Sequence, residues 1–424
     1  MKILIVGGGG REHAIAWKLS KENNVEKIYC APGNAGIAKV AQCVNISDSD
    51  IENLVKFAKE NNIDLTVVGP EVPLVNGIVD EFEKKGLKIF GPNKECSTFE
   101  GSKAFSKDFM IRHNIPTAKY KEYTNLDEAI SEIDSFGYPV VIKADGLAAG
   151  KGVVIPENRE DAINTLREMM SDKKFGSAGE KIVVEEFLSG VETSILAFVD
   201  NDTIVPMVSA KDHKKVYNFE KGPNTGGMGT FSPSEIYTDE LSKEISEKVL
   251  NRTLEGFKKD NLNYKGVLFI GLMITEDGPK VLEYNVRFGD PETQSVLFRL
   301  ETDLHKIMEA ILDNKLKDIE INYKKEEAVC VMLTSGGYPE DYEKGKVITG
   351  LEDLDEDIVV FHSGTKMLDG NLVTNGGRVI GITTSAGSVE EAAKKVYKNI
   401  EKINFEGMHY RTDIGIKFCE EISF

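Results

Sequence analysis

The most informative stretch of the chain reads Lys280-Val281-Leu282-Glu283-Tyr284-Asn285-Val286-Arg287-Phe288-Gly289-Asp290-Pro291-Glu292. Polar and apolar residues alternate, which predicts a β-strand whose side chains point to two opposite faces. One face is expected to anchor the strand in a core through Leu282, Tyr284 and Val286. The other face carries Glu283, Asn285 and Arg287. Two oxygen ligands beside a guanidinium suit Mg²⁺ and a phosphate, so this strand indicates phosphoryl chemistry.

The composition is that of a globular protein with an acidic surface. The chain has 424 residues, of which 41% are hydrophobic and 29% charged, and at about 100–200 residues per domain it is expected to form two to four domains. The net charge of −18 argues against a nucleic acid as the main partner, because phosphate backbones bind dense basic surfaces. Anionic small molecules remain compatible, since a cleft can be locally positive.

The N-terminal segment and the cysteines predict a cytoplasmic location. Residues 1–6 are followed by four glycines and are too few for a signal peptide, and no apolar run approaches the ~20 residues of a membrane span. The five cysteines are scattered without a CxxC pair. We therefore expect reduced thiols rather than a zinc ribbon or a disulfide framework.

Residues 1–100 alternate between apolar strands and helices, which predicts a parallel sheet covered by helices. From about residue 101 the pattern changes, beginning with a predicted helix at 101–113. Further strands and hairpins are expected at 138–143, 153–155, 181–187, 191–208 and 267–286. A polar loop at 211–232 and a helix at about 239–259 lie between them, and the last hundred residues are typical of a small α+β domain.

The first glycine run is Gly7-Gly8-Gly9-Gly10-Arg11-Glu12-His13-Ala14. It follows a predicted strand and opens a helix, so its N–H groups can bind a phosphate. A dinucleotide site is disfavoured, because the third glycine of GxGxxG is absent and no ribose-binding acid follows the second strand. A phosphate-bearing metabolite fits better, and a simple tight turn remains the alternative.

The second run is Lys143-Ala144-Asp145-Gly146-Leu147-Ala148-Ala149-Gly150-Lys151-Gly152-Val153. It is not a P-loop, because Gly152 stands where Ser or Thr should follow the lysine. Since it joins two strands, we interpret it as a loop that closes over a triphosphate, with Lys143 at the phosphate oxygens. The alternative is a solvent-exposed β-turn.

Two further segments suggest ligand contacts when taken with these runs. The strand at 183–192 ends in acids and an aromatic, which suits an adenine pocket with Glu192 on the ribose, although an ordinary strand end is the alternative. The polar segment 211–229 can wrap an anionic substrate, although a solvated loop remains possible. Zinc hydrolysis and a serine nucleophile are unsupported, because HxH, HExxH and GxSxG are absent.

Together these motifs resemble the phosphoribosylamine-glycine ligase (glycinamide ribonucleotide synthetase) family of ATP-grasp enzymes. The resemblance covers essentially the whole chain. It rests on GGGGREHA at 7–14, PGNAG at 32–36, GPEVPL at 69–74, KADGLAAGKGV at 143–153, GPNTGGMG at 222–229, EYNVRFGDPETQ at 283–294, SGGYP at 335–339 and GGRVIGIT at 376–383.

The resemblance implies an α/β and α+β multidomain fold. The implied parts are an N-terminal parallel α/β substrate-binding domain (1–101), an ATP-grasp domain (102–324) with a mobile lid at about 119–190, and a C-terminal α+β domain (325–424). The reaction it implies forms a C–N bond between glycine and 5-phosphoribosylamine in purine biosynthesis, through a glycyl phosphate, with ATP and Mg²⁺ or Mn²⁺. A monomer that binds small molecules, but neither nucleic acid nor membrane, is expected.

The resemblance also implies roles for individual residues. The ATP site would comprise Lys103, Lys143, Gly146, Gly150, Lys151, Gly152, Glu185, Glu186, Leu188 and Glu192. The metal ligands would be Glu283 and Asn285, and the catalytic residues Lys143, Arg287 and Asp212. The other substrates would contact Gly9, Gly10, Glu71, Asp212, Lys214, Asn224 and Arg287. The stretch 215–221 departs from the family pattern, so the resemblance assigns it no substrate contacts, whereas the implied reaction class is unaffected.

Three alternatives stay open from the sequence. The chain could be an ATP-grasp ligase for another carboxylate and amine, which substrate replacement would reveal. A nicotinamide-dependent dehydrogenase would use the N-terminal sheet and would respond to NADH rather than ATP. A nucleotide sensor without catalysis would bind ATP but would not need a metal pair beside an arginine.

Overall fold

The computed structural model describes residues 1–147, 152–172 and 176–416. Its N-terminal strands are β1 (Lys2–Gly7), β2 (Lys27–Pro32), β3 (Gln42–Cys43), β4 (Leu65–Val68) and β5 (Ile89–Phe90). The helices of this part are α1 (Gly10–Leu19), α2 (Ile51–Glu60), α3 (Glu71–Val75), α4 (Ile78–Lys84) and α5 (Lys94–Gly101). The strands pair in parallel in the order β3-β2-β1-β4-β5. The predicted parallel α/β sheet is therefore confirmed, with the short β3 added at its edge.

The helix predicted at 101–113 is divided at its start. Ser102 follows the end of α5 in an extended conformation, and its hydroxyl accepts a hydrogen bond from the Phe105 N–H at 3.1 Å. A serine in this conformation is a favoured N-cap. It therefore starts a new helix, α6 (Lys103–Arg112), rather than continuing α5.

The next part of the chain forms a four-stranded sheet among the described residues, in the order β6-β9-β7-β8. Its strands are β6 (Tyr120–Tyr123), β7 (Val140–Ala144), β8 (Val153–Val154) and β9 (Ile182–Glu186), and its helices are α7 (Leu126–Glu132) and α8 (Arg159–Met170). The strands are antiparallel, and β7 and β8 are the two that the second glycine run connects.

The strands that follow are β10 (Val191–Val199), β11 (Ile204–Pro206), β12 (Lys211–Asp212), β13 (Lys215–Tyr217), β14 (Lys221–Asn224), β15 (Gly229–Ser232), β16 (Gly266–Thr275) and β17 (Gly278–Asn285). A sheet of order β11-β10-β16-β17 forms the centre of the molecule. The predicted helix at 239–259 consists of α9 (Asp239–Ile245), a π-helical turn (Ser246–Leu250) and α10 (Asn251–Lys259). The helices α11 (Glu292–Arg299) and α12 (Leu304–Leu312) complete this part.

A β-bulge interrupts the predicted alternation in β17. Glu283 pairs with Gly271 and Val281 with Leu272, so Leu282 has no partner of its own. The extra residue shifts the side-chain alternation by one position. The prediction that Leu282 anchors the core is therefore wrong: Val281 is buried in the core, whereas Leu282 is half-buried. Tyr284 and Val286 lie in the core as predicted.

The predicted loop at 211–232 is also wrong in part, because it contains short strands. The remaining elements are β18 (Glu327–Thr334), β19 (Val359–His362), β20 (Thr365–Leu368), β21 (Asn371–Thr374), β22 (Arg378–Ala386) and α13 (Val389–Ile400). A sheet of order β12-β15-β18-β22-β19 joins strands from this loop to the C-terminal strands. Residues 211–232 thus connect the central and C-terminal parts across the predicted boundary at 324/325.

Apolar packing also joins the N-terminal part to the central sheet. Phe99 of α5 lies edge-on to Tyr284 of β17, with ring centroids 5.7 Å apart, and both side chains are buried. Aromatic pairs in this arrangement stabilise cores beyond their buried area. The strand that carries Glu283 is therefore held from behind by a rigid core. In the described part of the chain, no helix combines the length and hydropathy that crossing a bilayer requires.

Candidate functional site

A cleft of about 590 Å³ is lined by residues from all three parts of the chain. Most residues singled out in the sequence line it: Glu71, Lys103, Lys143, Gly146, Gly152, Glu185, Glu186, Leu188, Glu192, Asp212, Lys214, Asn224, Glu283, Asn285 and Arg287. Gly9 and Gly10 are not among these lining residues. Gly150 and Lys151 lie outside the described residues.

Two lysines flank one buried carboxylate in this cleft. Lys143 Nζ lies 2.7 Å from Glu185 Oε1, and Lys107 Nζ lies 2.7 Å from Glu185 Oε2. Burial alone would raise the pKa of Glu185, but the two lysines outweigh it and hold that pKa below its usual value. Burial lowers the pKa of Lys107 to about 8. The carboxylate predicted to contact adenine thus orients two lysines, and its adenine role stays a prediction.

Glu283 and Asn285 lie together on β17, with Asn285 Nδ2 3.4 Å from Glu283 Oε1. Burial would raise the pKa of Glu283, but Lys214, Lys143 and Lys103 outweigh it and keep the pKa low. The carboxylate is therefore ionised at neutral pH and faces a concentration of positive charge. Such a pair suits a hard cation together with phosphate groups.

Lys103 connects the start of α6 to the second glycine run. Its Nζ donates a 2.8 Å hydrogen bond to the carbonyl oxygen of Gly146. Burial lowers its pKa, and Lys143 contributes to the same direction, while Glu283 opposes it. Two of the predicted phosphate-binding lysines are therefore close enough to influence each other.

Arg287 pairs with two carboxylates of the cleft, Glu71 and Glu100. Its Nε lies 3.4 Å from Glu71 Oε2, and its Nη2 lies 3.0 Å from Glu100 Oε1. Glu100 also accepts a 2.8 Å hydrogen bond from the backbone N–H of Val286. Glu71 and Arg287 are thus neighbours in one cleft, and the buried Glu100, which the sequence reading missed, holds the arginine in place.

Lys214, Glu192 and Asp212 are another set of ionisable residues in the cleft. Lys214 Nζ lies 3.6 Å from Glu192 Oε2. Burial raises the pKa of Asp212 well above its usual range, and the nearby Glu292 adds to this effect. Burial also raises the pKa of Glu292, a cleft residue that the sequence reading did not select. Acids with raised pKa values in a cleft are suited to proton transfer.

In the first glycine run, the Gly9 N–H is already bound by a side chain of the helix that the run opens, α1. The Gly9 N–H donates a 2.5 Å hydrogen bond to Glu12 Oε2, and Arg11 Nε lies 2.6 Å from Glu12 Oε1. A Cβ at Gly10 would lie 2.5 Å from Ser363 Oγ. Glu12 therefore occupies the Gly9 N–H that a phosphate would need, while Arg11 lines the cleft. The contact of Gly9 and Gly10 with substrate stays a prediction.

The segment predicted to read adenine follows β9. Glu186 accepts a 2.8 Å hydrogen bond from the Lys119 N–H, and Leu188 is almost fully buried at the cleft. The Glu186 carboxylate thus fixes the neighbouring strand β6, and Leu188 offers an apolar surface for a base. The assignment of these residues to adenine remains a prediction.

Several cleft residues were missed in the sequence. Lys107 lies four residues after Lys103 on α6, and this spacing places both on one helix face, so the signal was present. Tyr338 and Arg378 also line the cleft, and both lie in motifs already quoted, SGGYP and GGRVIGIT. No local pattern distinguishes Glu100, because its role depends on the distant Arg287.

The sheet order and this cleft define an ATP-grasp ligase, which binds ATP and joins two substrates. Models of the phosphoribosylglycinamide synthetase N domain, ATP-grasp (A) domain and C domain match residues 1–100, 101–293 and 328–417. The chain belongs to the phosphoribosylglycinamide synthetase family. The predicted fold class, family and ligase activity are thereby confirmed, whereas the domain boundaries and residue roles stay predictions.

Individual relatives agree with this assignment. The chain is 52% identical to phosphoribosylamine–glycine ligase of Caldanaerobacter subterraneus subsp. tengcongensis over 98% of this chain and 99% of the relative. It is 49% identical to the enzyme of the same name in Clostridium acetobutylicum, again covering 98% and 99%.

Solved structures show the same architecture. The crystal structure of phosphoribosylamine–glycine ligase from Thermotoga maritima is similar with a TM-score of 0.85 and 35% identity, covering 98% of this chain and all of that one. Biotin carboxylase from Campylobacter jejuni has a TM-score of 0.74 at 14% identity and covers 96% of this chain and 92% of its own. The latter likeness shows the fold alone.

Proposed function

We infer that the protein joins glycine to 5-phosphoribosylamine at the expense of ATP, giving glycinamide ribonucleotide, ADP and phosphate in purine biosynthesis. The observation that carries this inference is the shared cleft. Lysines suited to phosphates, an ionised carboxylate beside an amide, and Arg287 next to Glu71 all line one cavity. Family membership supports the identity of the two joined substrates.

Lys103 and Lys143 bind phosphate oxygens of ATP in this proposal. Their support is that both lysines lie close enough to Glu283 to lower its pKa, which places them at the proposed metal and phosphate site. Leu188 packs against the base and Glu192 contacts the ribose. Residues 146–152 exclude water from the reacting groups, because acyl phosphates hydrolyse, although 148–151 lie outside the described residues.

Glu283 and Asn285 are the proposed ligands of Mg²⁺, or of Mn²⁺ in its place. Both donors are oxygen atoms, and the low pKa of Glu283 fits a hard divalent cation. The described residues contain no cluster of three or more His, Cys, Asp or Glu that could hold a metal. Two protein ligands fit Mg²⁺, which commonly takes its other ligands from phosphates and water. When bound, the ion neutralises the charge of the ATP phosphates.

The proposed chemistry has two steps. An oxygen of the glycine carboxylate first attacks the γ-phosphorus of ATP, and the bond to ADP breaks. The amine nitrogen of phosphoribosylamine then attacks the carbonyl carbon of glycyl phosphate, and the carbon–oxygen bond to phosphate breaks. Arg287 and Lys214 hold the anionic groups in line. Asp212 accepts the proton that the nitrogen loses, which fits its raised pKa.

A substrate-omission assay tests this function. Release of ADP is measured with ATP, glycine and freshly made phosphoribosylamine together, and with each omitted in turn. We expect full turnover only with all three. Equal turnover with another acid in place of glycine would identify a different ATP-grasp ligase. Binding of ATP without any ADP release would indicate a sensor, and a thermal shift with NADH but not ATP would indicate a dehydrogenase.

We also propose that the protein acts as a monomer in the cytoplasm. The support for the location is the scattering of the five cysteines, which suits reduced thiols. Light scattering coupled to size-exclusion chromatography tests the monomer, and cell fractionation tests the location.

A further inference from the structure

Two side chains of the C domain reach the cleft and bind the backbone of the same residue, Gly226. The N–H of Gly226 donates a 2.8 Å hydrogen bond to the Tyr338 hydroxyl. Arg378 Nη1 donates a 2.7 Å hydrogen bond to the carbonyl oxygen of Gly226. Gly226 lies in the GPNTGGMG segment, which the sequence assigned to substrate. The two peptide groups that flank the Gly226 Cα are therefore held by residues more than a hundred positions away.

Arg378 also binds a second segment of the cleft. Its Nη1 donates a 2.7 Å hydrogen bond to the carbonyl oxygen of Asp290, and its Nη2 lies 3.4 Å from Asp290 Oδ2. Asp290 Oδ1 in turn accepts a 2.8 Å hydrogen bond from Gln294. One guanidinium thus joins the Gly226 segment to the chain that follows Arg287. The guanidinium suits this double connection because it presents several donors in a fixed plane.

The neighbouring backbone shows how closely these segments fit. Gly227 has a φ of +115°, and a Cβ there would lie 2.3 Å from Pro291 Cδ and 2.8 Å from Asp212 Oδ1. A shift of the Gly226 segment would therefore reach Asp212, the proposed proton acceptor. Gly377 makes room for Tyr338, since a Cβ at 377 would lie 2.2 Å from the tyrosine ring.

We propose that Arg378 and Tyr338 are positioning residues for the acceptor half of the reaction. They fix the Gly226 peptide and Asp290 so that Asp212 and Asn224 keep their places around glycine and phosphoribosylamine. The proposal rests on the proposed function. It assigns the C domain a part in substrate geometry, while ATP binding depends on Lys143, Glu185 and Glu283, to which neither residue is bonded.

Steady-state kinetics of three variants test the proposal. Arg378→Met keeps the apolar stem but removes every donor, Arg378→Lys keeps the charge, and Tyr338→Phe removes one hydroxyl. We expect kcat/KM for glycine and for phosphoribosylamine to fall about a hundredfold in Arg378→Met and about fivefold in Tyr338→Phe. The lysine variant should recover part of the loss. The dissociation constant of ATP, measured by calorimetry, should stay within about twofold.

Tyr342→Phe is the matched control. Tyr342 lies beside Tyr338, with ring centroids 6.3 Å apart, and its hydroxyl has no hydrogen-bond partner among the described residues. Its kinetics should match those of the wild type. If Arg378→Met fails to fold, Tyr338→Phe still tests the proposal.

Two results would overturn the proposal. One is unchanged glycine and phosphoribosylamine kinetics in folded variants, and the other is an equal loss of ATP affinity, which would indicate a general structural role. A failure of the proposed function itself is distinguishable, because the wild-type protein would then lack ADP release that depends on glycine and phosphoribosylamine.

Discussion

The nucleotide half and the acceptor half of the cleft are built by different interactions. Charged side chains organise the nucleotide half, where Glu185 pairs with Lys107 and Lys143 at 2.7 Å. Backbone groups organise much of the acceptor half, where the Gly9 N–H is bound by Glu12, and the N–H and the carbonyl oxygen of Gly226 are bound by side chains of the C domain.

This difference predicts in which half of the cleft a single substitution should reduce activity most strongly. Removing one charge from the nucleotide half leaves a buried partner uncompensated, and such groups are costly. Removing one hydrogen bond to a backbone group has a smaller cost, because neutral hydrogen bonds contribute about 1 kcal/mol. We therefore expect the largest losses at the metal pair and small ones where a single neutral hydrogen bond to the backbone is removed, as in Tyr338→Phe.

Glu283→Gln should have the largest effect. It removes the negative charge while keeping the shape, so kcat should fall at least about a thousandfold. Glu276→Gln, an exposed acid in the turn of the same hairpin, is the matched control and should turn over normally. Near-normal turnover of Glu283→Gln at saturating Mg²⁺ would refute the metal assignment.

Lys143→Met should have the next largest effect, because it removes a phosphate-binding charge and one partner of Glu185. We expect kcat/KM for ATP to fall about a hundredfold, while the KM for glycine changes little. The measurement is initial-rate kinetics with ATP varied at saturating glycine and phosphoribosylamine. ATP kinetics like those of the wild type would count against the assignment of Lys143.

Lys107→Met should reduce ATP use less, by about tenfold, because Glu185 keeps Lys143 as a partner. The side chains of Lys107 and Glu185 are each only 2% exposed, so breaking this pair should cost about 3 kcal/mol of unfolding free energy. The double variant Lys107→Met/Glu185→Gln completes a thermodynamic cycle with the two single variants. Urea denaturation should find it destabilised by less than the sum of the two single losses, and strictly additive losses would contradict the pairing.

The smallest effect of a substitution at neutral pH is expected at two buried histidines behind the acceptor half, His13 and His362. The His362 N–H donates a 2.8 Å hydrogen bond to His13 Nδ1, and Asn34 of the PGNAG motif donates to the carbonyl oxygen of His362. Burial lowers the pKa of His13 to about 3, with His362 and Lys39 contributing, and lowers that of His362 to about 4.

These values predict a loss of stability in acid. Unfolded histidines bind protons below about pH 6.5, whereas the folded protein binds them only near pH 4 and pH 3 at these two positions. The stabilisation that comes from keeping these two histidines neutral in the folded protein is thus complete above pH 6.5. It is lost progressively as the pH falls from 6.5 towards the folded pKa values of about 4 and about 3. At pH 5 each of the two histidines should therefore lower the free energy of unfolding by about 2 kcal/mol relative to its value above pH 6.5.

His13→Asn tests this expectation, since an amide oxygen can replace Nδ1 as the acceptor. The difference in unfolding free energy between pH 7.5 and pH 5 should shrink by about 2 kcal/mol. His409→Asn is the control, because His409 is only half-buried and bonds the carbonyl oxygen of Val216 instead. An unchanged pH dependence in His13→Asn would contradict the assignment.

The sequence predicted the fold well where local patterns determine it. The N-terminal strands are continuous apolar runs followed by amphipathic helices, and these features depend on neighbouring residues alone. The bulge at Leu282 was missed because it arises from pairing with the distant Gly271 and Leu272. The strands within 211–232 were missed because β15 is completed by β18, about a hundred residues later.

The residues of the site divide in the same way, into those that local motifs predicted and those that depend on distant parts of the chain. Single-residue assignments such as Lys143, Glu283 and Arg287 came from motifs, and these residues do line one cleft. Motifs did not predict the residues that hold such side chains and segments in place, because these depend on contacts across the chain. Examples are Glu100, which pairs with Arg287, and Arg378, which binds Gly226. The sequence also could not reveal that Glu12 would occupy the Gly9 N–H, since that required the helix geometry.

Isotope transfer tests the central claim most directly. Glycine labelled with ¹⁸O in its carboxylate is converted with ATP and phosphoribosylamine, and the released phosphate is examined by mass spectrometry. If the carboxylate attacks the γ-phosphorus and the amine then displaces phosphate, each phosphate carries one ¹⁸O from glycine. Unlabelled phosphate, with oxygen from water alone, would contradict the glycyl phosphate and the ligation assigned to this cleft.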